Sequence, residues 1–255
     1  MGTHFRMQRL ALLLTFLLMI VVLSAGQDGR YYAGKKVYVR TGNEAKISGT
    51  IKLTGTRAKP RKIDMSTDLV CYQVNPNAKT EDIVGSKGKL ANVFVYVKGV
   101  ALDSYAFEQP ESPAVLAHKG CRYEPHVLGL QVGQSLTIIN SDPTYHITHT
   151  VPKSNQEWIQ SQSPGSPPLK KSFEQPEFIP LKDDQHLWEE AYVGVFTHPF
   201  FAISDDSGGY RIEGLPPGRY VVVARHETLG EKTVDITLDA GEAKELDFSF
   251  DTEQH

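Results

Sequence analysis

Short stretches of alternating apolar and polar residues recur along the chain, and they predict β-strands rather than helices. Residues 45–55 (AKISGTIKLTG) place Ile47 and Ile51 on one side of an extended backbone. Residues 90–99 and 219–225 are runs rich in β-branched and aromatic residues, which favour strands. No apolar stripe of helical period extends beyond two turns. Because the predicted strands are short and evenly spaced, the chain is expected to be all-β.

Turn-rich segments divide the predicted strands into groups. The sequence EQPESP at residues 108–113 precedes one group, and turns such as DDSGG and LPPG separate the strands of a later meander. We therefore expect one sandwich over residues 112–200 and a smaller β segment over residues 201–252. Residues 45–111 are predicted to pack with the C-terminal strands, which would make the first sandwich an insertion. The alternative is that they add edge strands to the first sandwich.

The N-terminus has the pattern of an export signal. Two arginines precede an apolar run of fourteen residues, 10–23, and small residues follow at 24–26. Because this run is short for a membrane-spanning helix, residues 1–26 are predicted to be a signal peptide. The alternative is an uncleaved anchor, which would be the only membrane contact of the chain. Residues 27–44 are expected to be a loosely ordered polar leader, and both readings locate the body in the periplasm or another extracytoplasmic compartment.

Charge and cysteine content agree with export and argue against one class of partner. Without residues 1–26 the chain has 25 basic and 30 acidic residues, a net charge of −5, so nucleic acid is not an expected partner. The two cysteines, Cys71 and Cys121, are expected to form a disulfide in an exported protein. That bond would contribute about 4 kcal/mol in the chain-entropy model. A role for either cysteine as a metal thiolate is disfavoured, because neither lies in a Cys/His ligand spacing.

Histidines and carboxylates are concentrated near two predicted turns. The candidate metal ligands are His146 and His149, after the strand that ends at Asn140, and Asp183, His186 and Glu189, before the strand at 191–196. A sandwich that brings both turns to one end would cluster these side chains. His149 follows His146 by three residues, so in a continuous strand it would face the opposite side.

The residues near these turns resemble those of a cupredoxin, the plastocyanin/azurin-like copper sandwich. The resemblance is carried by NSDPTYH at residues 140–146 and by the loop and strand at 180–195. The sequence SGGYRIEGLPPGRYVVVARHE at 207–227 resembles a carboxypeptidase regulatory-like, transthyretin-like segment. Together they imply a cupredoxin-like Greek-key sandwich joined to a small transthyretin-like sandwich, as in exported bacterial proteins. The resemblance also implies that His146 and His186 occupy the two histidine ligand positions.

The sequence departs from that family at its other two ligand positions. Asp183 stands where the family has the copper thiolate, and Glu189 stands where it has the axial methionine. A blue copper site needs the thiolate, and a distant cysteine is excluded on spacing. One interpretation is therefore a degenerate site in a non-catalytic binding or assembly protein of the cell envelope. The others are a non-blue site for copper or zinc, and an accessory subunit of a membrane electron-transfer complex.

No motif favours an enzyme. His186 and Glu189 spell H-x-x-E, a fragment of zinc-peptidase motifs, but the likeness to carboxypeptidases lies in their accessory β domain. The chain contains neither a nucleophile elbow nor a phosphate-binding loop. We therefore expect a non-catalytic protein without an obligatory cofactor, for which copper and zinc are the candidate ligands.

Overall fold

The computed structural model describes residues 31–254 except 33, 57 and 58. The predicted signal peptide, residues 1–26, lies outside the described residues. Within the described ranges, none of the helices has the length and apolar character needed to cross a membrane.

Short strands make up nearly half of the described chain and far more of it than helices do, as the period-two patterns predict. The strands are β1 (Tyr31–Tyr32), β2 (Lys35–Val37), β3 (Ala45–Thr54), β4 (Gly85–Ser86), β5 (Lys89–Leu90), β6 (Phe94–Lys98), β7 (Tyr105–Ala106), β8 (Ala114–His118), β9 (Tyr123–Glu124), β10 (Val127–Gln131), β11 (Leu136–Asn140), β12 (His146–Thr150), β13 (Ile159–Gln162), β14 (Leu169–Lys171), β15 (Phe178–Asp183), β16 (Glu190–Phe196), β17 (Phe201–Ile203), β18 (Gly209–Leu215), β19 (Gly218–His226), β20 (Gly230–Leu238), β21 (Ala243–Glu245) and β22 (Phe248–Asp251). The helical segments are α1 (Leu69–Val74), α2 (Val100–Asp103) and a 3₁₀ turn at Thr252–Gln254.

Strands β8 to β16 form a sandwich of two sheets. One sheet has the order β10-β16-β15-β12-β13, and the other has the order β14-β11-β8-β9. Each sheet contains one parallel pair, β10 with β16 and β8 with β11. The side chains between the sheets include Leu116, Ile138, Leu181 and Val193, all of them fully buried. We call this unit the first sandwich.

The second sandwich combines strands from both ends of the described chain. One sheet has the order β17-β6-β19-β20, and the other is built on β3, which pairs with β5, β18, β21 and β22. Their shared core includes Ile47, Val95, Val222 and Phe250. Strand β3 pairs with β18, β21 and β22, and β6 pairs with β17 and β19, so residues 45–98 are joined to the C-terminal strands. The first sandwich lies between these two parts in sequence.

The two sandwiches pack against each other through an aromatic layer. Alternation along β6 directs Val95 and Val97 into the second sandwich and Phe94 and Tyr96 toward the first. The ring of Phe94 lies 5.1 Å from that of Phe178 in β15, an edge-to-face contact. The five-stranded sheet is therefore covered on both faces, which explains why β15 and β16 have few exposed positions.

The leader predicted at residues 27–44 is more ordered than expected over its described part. Strands β1 and β2 form a small sheet with β7, in which β2 and β7 are parallel. Tyr38 packs edge-to-face on Phe200 and donates a hydrogen bond to the Gly214 carbonyl at 2.9 Å. Tyr38 thus attaches residues 34–44 to the second sandwich, a contact that the polar composition of the segment does not predict.

Candidate metal centre

The inward faces of several strands change from apolar to polar at one end of the first sandwich. Residues two apart in a strand share a face, so each polar residue continues an apolar row of the core. The pairs are Leu116/His118 in β8, Leu181/Asp183 in β15 and Ala191/Glu189 at the start of β16, and His146 begins β12. The first sandwich therefore ends in a buried polar cluster rather than in solvent.

Three histidines of this cluster direct Nδ1 toward two carboxylates. His146 Nδ1 lies 2.7 Å from Asp183 Oδ2 and 3.2 Å from Glu189 Oε2. His118 Nδ1 lies 2.7 Å from Glu189 Oε1 and 3.7 Å from Asp183 Oδ2. His186 Nδ1 lies 3.2 Å from His146 Nδ1 and 3.7 Å from Asp183 Oδ2. All five side chains are buried, so the arrangement is shielded from water.

The outer nitrogen of each imidazole faces a different oxygen. The Nε2 partners are Thr148 Oγ1 for His118 at 2.9 Å, Asp68 Oδ2 for His186 at 3.0 Å and Asp142 Oδ2 for His146 at 3.3 Å. An Nε2–H that donates outward leaves the lone pair of Nδ1 free to bind an ion. Thr148 and Asp68 therefore orient His118 and His186 with Nδ1 inward, whereas His146 Nε2 only lies close to Asp142 Oδ2 without a hydrogen bond.

Histidine side chains, together with backbone amides, stabilise the ionised forms of Asp183 and Asp68. Asp183 Oδ1 accepts hydrogen bonds from the N–H groups of Gln185 and His186. Burial acts to raise the pKa of Asp183, but its bonds to His146 and His186 lower it well below the ordinary range. Asp68 also has a lowered pKa, about 2, because its contacts with His186, Thr144 and the amides of α1 outweigh the effect of burial.

The pKa of His146 is shifted in the opposite direction to the pKa values of Asp183 and Asp68. Burial acts to lower its pKa, whereas contacts with Asp142, Asp183 and Glu189 raise it to about 11. The cluster thus places several carboxylates around buried imidazoles, and it needs positive charge to balance them. That charge is either a proton on His146 or a bound cation.

The donor atoms have the spacing of ligands around a single metal ion. Two ligands at about 2.1 Å from an ion lie roughly 3.0–3.4 Å apart at the usual coordination angles. One donor atom from each of His118, His146, Asp183 and Glu189 lies within 4.8 Å of the others, with contacts of 2.7 to 3.7 Å. His186 Nδ1 borders this group, at 3.2 Å from His146 Nδ1 and 3.7 Å from Asp183 Oδ2. Among the described residues, Glu189 Oε2 is buried without a hydrogen-bond partner although it points toward His146. The residues present therefore fit a metal with nitrogen and oxygen ligands, and they do not fit a blue copper site.

The structure unites four of the five ligands predicted from the sequence, and His149 is the exception. His146, Asp183, His186 and Glu189 belong to the cluster, as described above. His149 lies on the outward face of β12, where His146, Thr148 and Thr150 are the inward residues. Its ring contacts Asp184 and Glu157 at the surface, so the strand period excludes it as a ligand.

His118 and the outer partners were missed by the sequence analysis. The signal for His118 is the alternation in AVLAH, residues 114–118, which places it on the same face as the core residue Leu116. Asp142 is held by the amides of Gly120 and Cys121, a contact across two loops. Asp68 comes from the N-terminus of α1, and no local pattern connects it with the cluster.

The predicted disulfide between Cys71 and Cys121 is confirmed, and its position is unexpected. Cys71 Sγ lies 3.5 Å from His186 Nε2, and Cys121 groups with Asp142 and His146. The spacing of the cysteines in the sequence does not show that they lie beside these two histidines. They provide no thiolate to a metal in this state, because they are bonded to each other. Trp188 covers this region: its ring lies 5.2 Å from that of His186.

A family model recognises the C-terminal part of the chain. Residues 189–251 match the carboxypeptidase regulatory-like domain. The match begins at Glu189 and so includes β16, which pairs within the first sandwich. It covers less than half of the chain.

Solved structures similar to this chain include copper proteins. A Cu-containing nitrite reductase from Thermus scotoductus is 18% identical over 39% of this chain, with a TM-score of 0.32, and the match spans a quarter (25%) of that protein. A purple cupredoxin from Nitrosopumilus maritimus is 18% identical, with 32% of this chain and 98% of that chain covered and a TM-score of 0.29. An amicyanin mutant in the oxidised form is 18% identical over 33% of this chain and 83% of its own, with a TM-score of 0.31. No curated protein sequence matches the chain.

The fold class predicted from the sequence is confirmed. The described chain is nearly all β and forms two sandwiches, and residues 189–251 match the carboxypeptidase regulatory-like domain. The candidate ligand residues differ from those that the cupredoxin resemblance implies, because oxygen replaces sulfur at two of the positions.

Proposed function

We propose that this chain is an exported, non-catalytic metal-binding protein whose cupredoxin-like domain binds one divalent first-row ion. The proposed ligands are Nδ1 of His118, His146 and His186 and the carboxylates of Asp183 and Glu189. The observation that carries the proposal is the convergence of three inward Nδ1 atoms whose outer nitrogens each face an oxygen.

The chemistry of the donors favours copper(II) or zinc over harder ions. Imidazole nitrogen is a preferred ligand for both metals, and copper(II) binds most tightly in the first-row series. With carboxylate in place of thiolate, a copper complex would lack the intense sulfur-to-copper absorption of a blue site. Storage or delivery of the ion in the cell envelope agrees with the predicted export and the disulfide.

Metal titration of the full purified chain, with its disulfide intact, tests the proposal. The metal-free protein is titrated with copper(II) and separately with zinc, and the affinity is measured by calorimetry. We expect one ion per chain and a loss of binding in His146→Ala and in His186→Ala. His149→Ala is the matched control, because this histidine lies in the same strand but faces solvent.

The competing candidate is a metal-free network in an envelope assembly protein. It is supported by the raised pKa of His146, about 11, because a protonated imidazole would balance part of the negative charge without an ion. Unchanged affinity in both ligand variants, or weak binding that His149→Ala reduces equally, would favour this candidate. Association with a membrane redox complex is a further hypothesis, for which co-purification with membranes is the test.

A further inference from the structure

The Cys71–Cys121 disulfide lies between two carboxylate–histidine pairs. On one side, Cys71 groups with Asp68 and His186. On the other side, Cys121 groups with Asp142 and His146. In both groups the histidine presents Nε2, the nitrogen that faces away from the proposed N/O centre. The sulfurs are therefore next to a second set of ligand atoms, on the outer side of the same imidazoles.

The distance between sulfur and nitrogen matches that of two ligands on one ion. Cys71 Sγ and His186 Nε2 are 3.5 Å apart. A thiolate at about 2.3 Å and an imidazole nitrogen at about 2.05 Å from a tetrahedral ion are roughly 3.6 Å apart. Asp68 Oδ2, 3.0 Å from the same Nε2, adds an oxygen on the same side.

An unsatisfied nitrogen marks the other half of this region. Within the described part of the chain, His146 Nε2 is buried and makes no hydrogen bond, although Asp142 Oδ2 lies 3.3 Å away. A buried imidazole nitrogen without a partner is costly unless it is protonated or binds an ion. This observation is independent of the sulfur geometry, and it points to the same region.

We propose that reduction of this disulfide creates a second metal site, for a thiophilic ion such as copper(I). Its ligands are the thiolates of Cys71 and Cys121 and Nε2 of His186, with Asp68 beside them. A dithiol reductant breaks the Cys71–Cys121 bond, supplies two electrons and two protons, and becomes a disulfide itself. The two cysteine thiols then release their protons when they bind the ion.

The two ligand sets differ in the ions that they prefer. Thiolates favour soft ions such as copper(I), whereas the imidazole and carboxylate set favours copper(II) or zinc. The redox state of one bond thereby selects between them. Met65, Ile63 and Trp188 pack around the sulfurs, and both cysteines are buried. Reduction of the bond therefore requires these side chains to move apart. This inference goes beyond the proposed function and uses the opposite nitrogen of the shared His186.

Cobalt(II) is a suitable spectroscopic probe, because thiolate-to-cobalt absorption reports sulfur ligands directly. The full chain is reduced with a dithiol, freed of it under anaerobic conditions and titrated with cobalt(II). We expect one equivalent to give an intense thiolate band in the reduced protein and none in the oxidised protein. Copper(I) should then displace the cobalt stoichiometrically. The paired variant Cys71→Ser/Cys121→Ser should lack the band.

Variants separate this site from the N/O centre and from non-specific thiol binding. In the reduced protein His186→Ala should weaken cobalt binding about tenfold or more, whereas His149→Ala should leave it unchanged. Glu189→Gln should spare the thiolate band, so failure of the N/O centre and failure of this proposal are distinguishable. No band in the reduced chain would overturn the proposal. A thiolate band that forms with unchanged cobalt affinity in His186→Ala would overturn it as well, because an unfolded chain with two thiols would give the same result.

Discussion

At the scale of single residues, the exchange of sulfur for oxygen determines what this centre can do. Asp183 and Glu189 supply charged, hard oxygen atoms where the cupredoxin resemblance implies a thiolate and a thioether. The amides of Gln185 and His186 bind Asp183 Oδ1 and leave Oδ2 directed at the imidazoles. An ionised carboxylate in this position stabilises a divalent ion but does not supply the covalent sulfur bond on which blue copper depends.

Glu189→Gln should weaken copper(II) binding to the oxidised chain. The change removes a buried negative charge and places an amide where an unpartnered oxygen faces His146. Loss of an outer partner of a ligand typically weakens metal binding by about 10- to 100-fold. Because Glu189 is proposed to bind the ion directly, we expect its substitution to raise the dissociation constant by more than that. Calorimetric titration measures the dissociation constant. Asp184→Asn is the matched control, because the Asp184 carboxylate contacts the surface residue His149. Equal affinity in the two variants would contradict a ligand role for Glu189.

Asp68→Asn tests the outer contact to His186. The amide retains the N-cap of α1, because Asn caps helices about as well as Asp, so the fold of α1 should survive. It removes the negative charge 3.0 Å from His186 Nε2, and we expect copper(II) affinity to fall by about 10- to 100-fold. Asp64→Asn is the control, since the Asp64 carboxylate lies at the surface and accepts a hydrogen bond from the nearby Ser66 amide. A result equal to the control would mean that Asp68 does not orient the imidazole.

At the scale of elements, local pattern predicts a strand more readily than its register or its end. The alternation in residues 45–55 predicts β3 closely, and the apolar run at 219–225 lies within β19. Strand β15 spans Phe178–Asp183, and its limits are set by pairing with β12 and β16 rather than by a local pattern. Since β15 extends to residue 183, Asp183 is a strand residue with a fixed face rather than a member of a loop.

The difference between local pattern and tertiary pairing also explains how much of the proposed metal centre could be predicted from the sequence. Asp183, His186 and Glu189 are close in sequence, so their spacing indicates a shared loop region. His118 comes from β8, which is held in its sheet by parallel pairing with β11, and no local pattern specifies that pairing. Asp68 joins it through the disulfide and α1, which are tertiary contacts.

Phe94→Ala should destabilise the aromatic layer without changing the metal centre. Phe94 is 2% exposed and contacts Phe178, which lies at the opposite end of β15 from Asp183. Removal of a buried Phe side chain costs about 3–5 kcal/mol of unfolding free energy. Urea unfolding measures that loss, and calorimetry should give unchanged copper(II) affinity. Val100→Ala is the control, because this side chain is 85% exposed and should affect neither quantity. A large loss of affinity in Phe94→Ala would mean that the layer and the centre are coupled.

At the scale of the whole molecule, polar contacts also connect the two sandwiches. His126 Nε2 lies 2.7 Å from Glu227 Oε1, which follows β19 of the second sandwich. His126 also contacts the Glu190 carbonyl through Nδ1 at 3.1 Å. The pair is mostly buried, so its protonation should influence how firmly the sandwiches are held together.

The pKa directions of this pair predict weaker coupling at higher pH. Burial acts to lower the pKa of His126, but Glu227 raises it above its ordinary value of 6.5. Burial raises the pKa of Glu227 above 4.5, against the opposing effect of His126. Both groups therefore bind their protons more tightly in the folded chain than in the unfolded chain. The stabilisation from His126 is complete below its unfolded pKa of 6.5 and is lost as the pH rises through its folded value.

Glu227→Gln isolates this effect, because His126 then loses its charged partner. The difference in unfolding free energy between the parent chain and the variant should be larger at about pH 5.5 than at about pH 8.5, on either side of the ordinary histidine pKa. Urea unfolding at the two pH values measures it in metal-free protein. Glu231→Gln is the control: it removes the partner of Arg225 in a surface ion pair and should give the same small difference at both pH values. A difference for Glu227→Gln that stays constant or grows with pH would mean that His126 is not protonated in the folded chain. The contact between the sandwiches would then depend on the aromatic layer rather than on the ion pair.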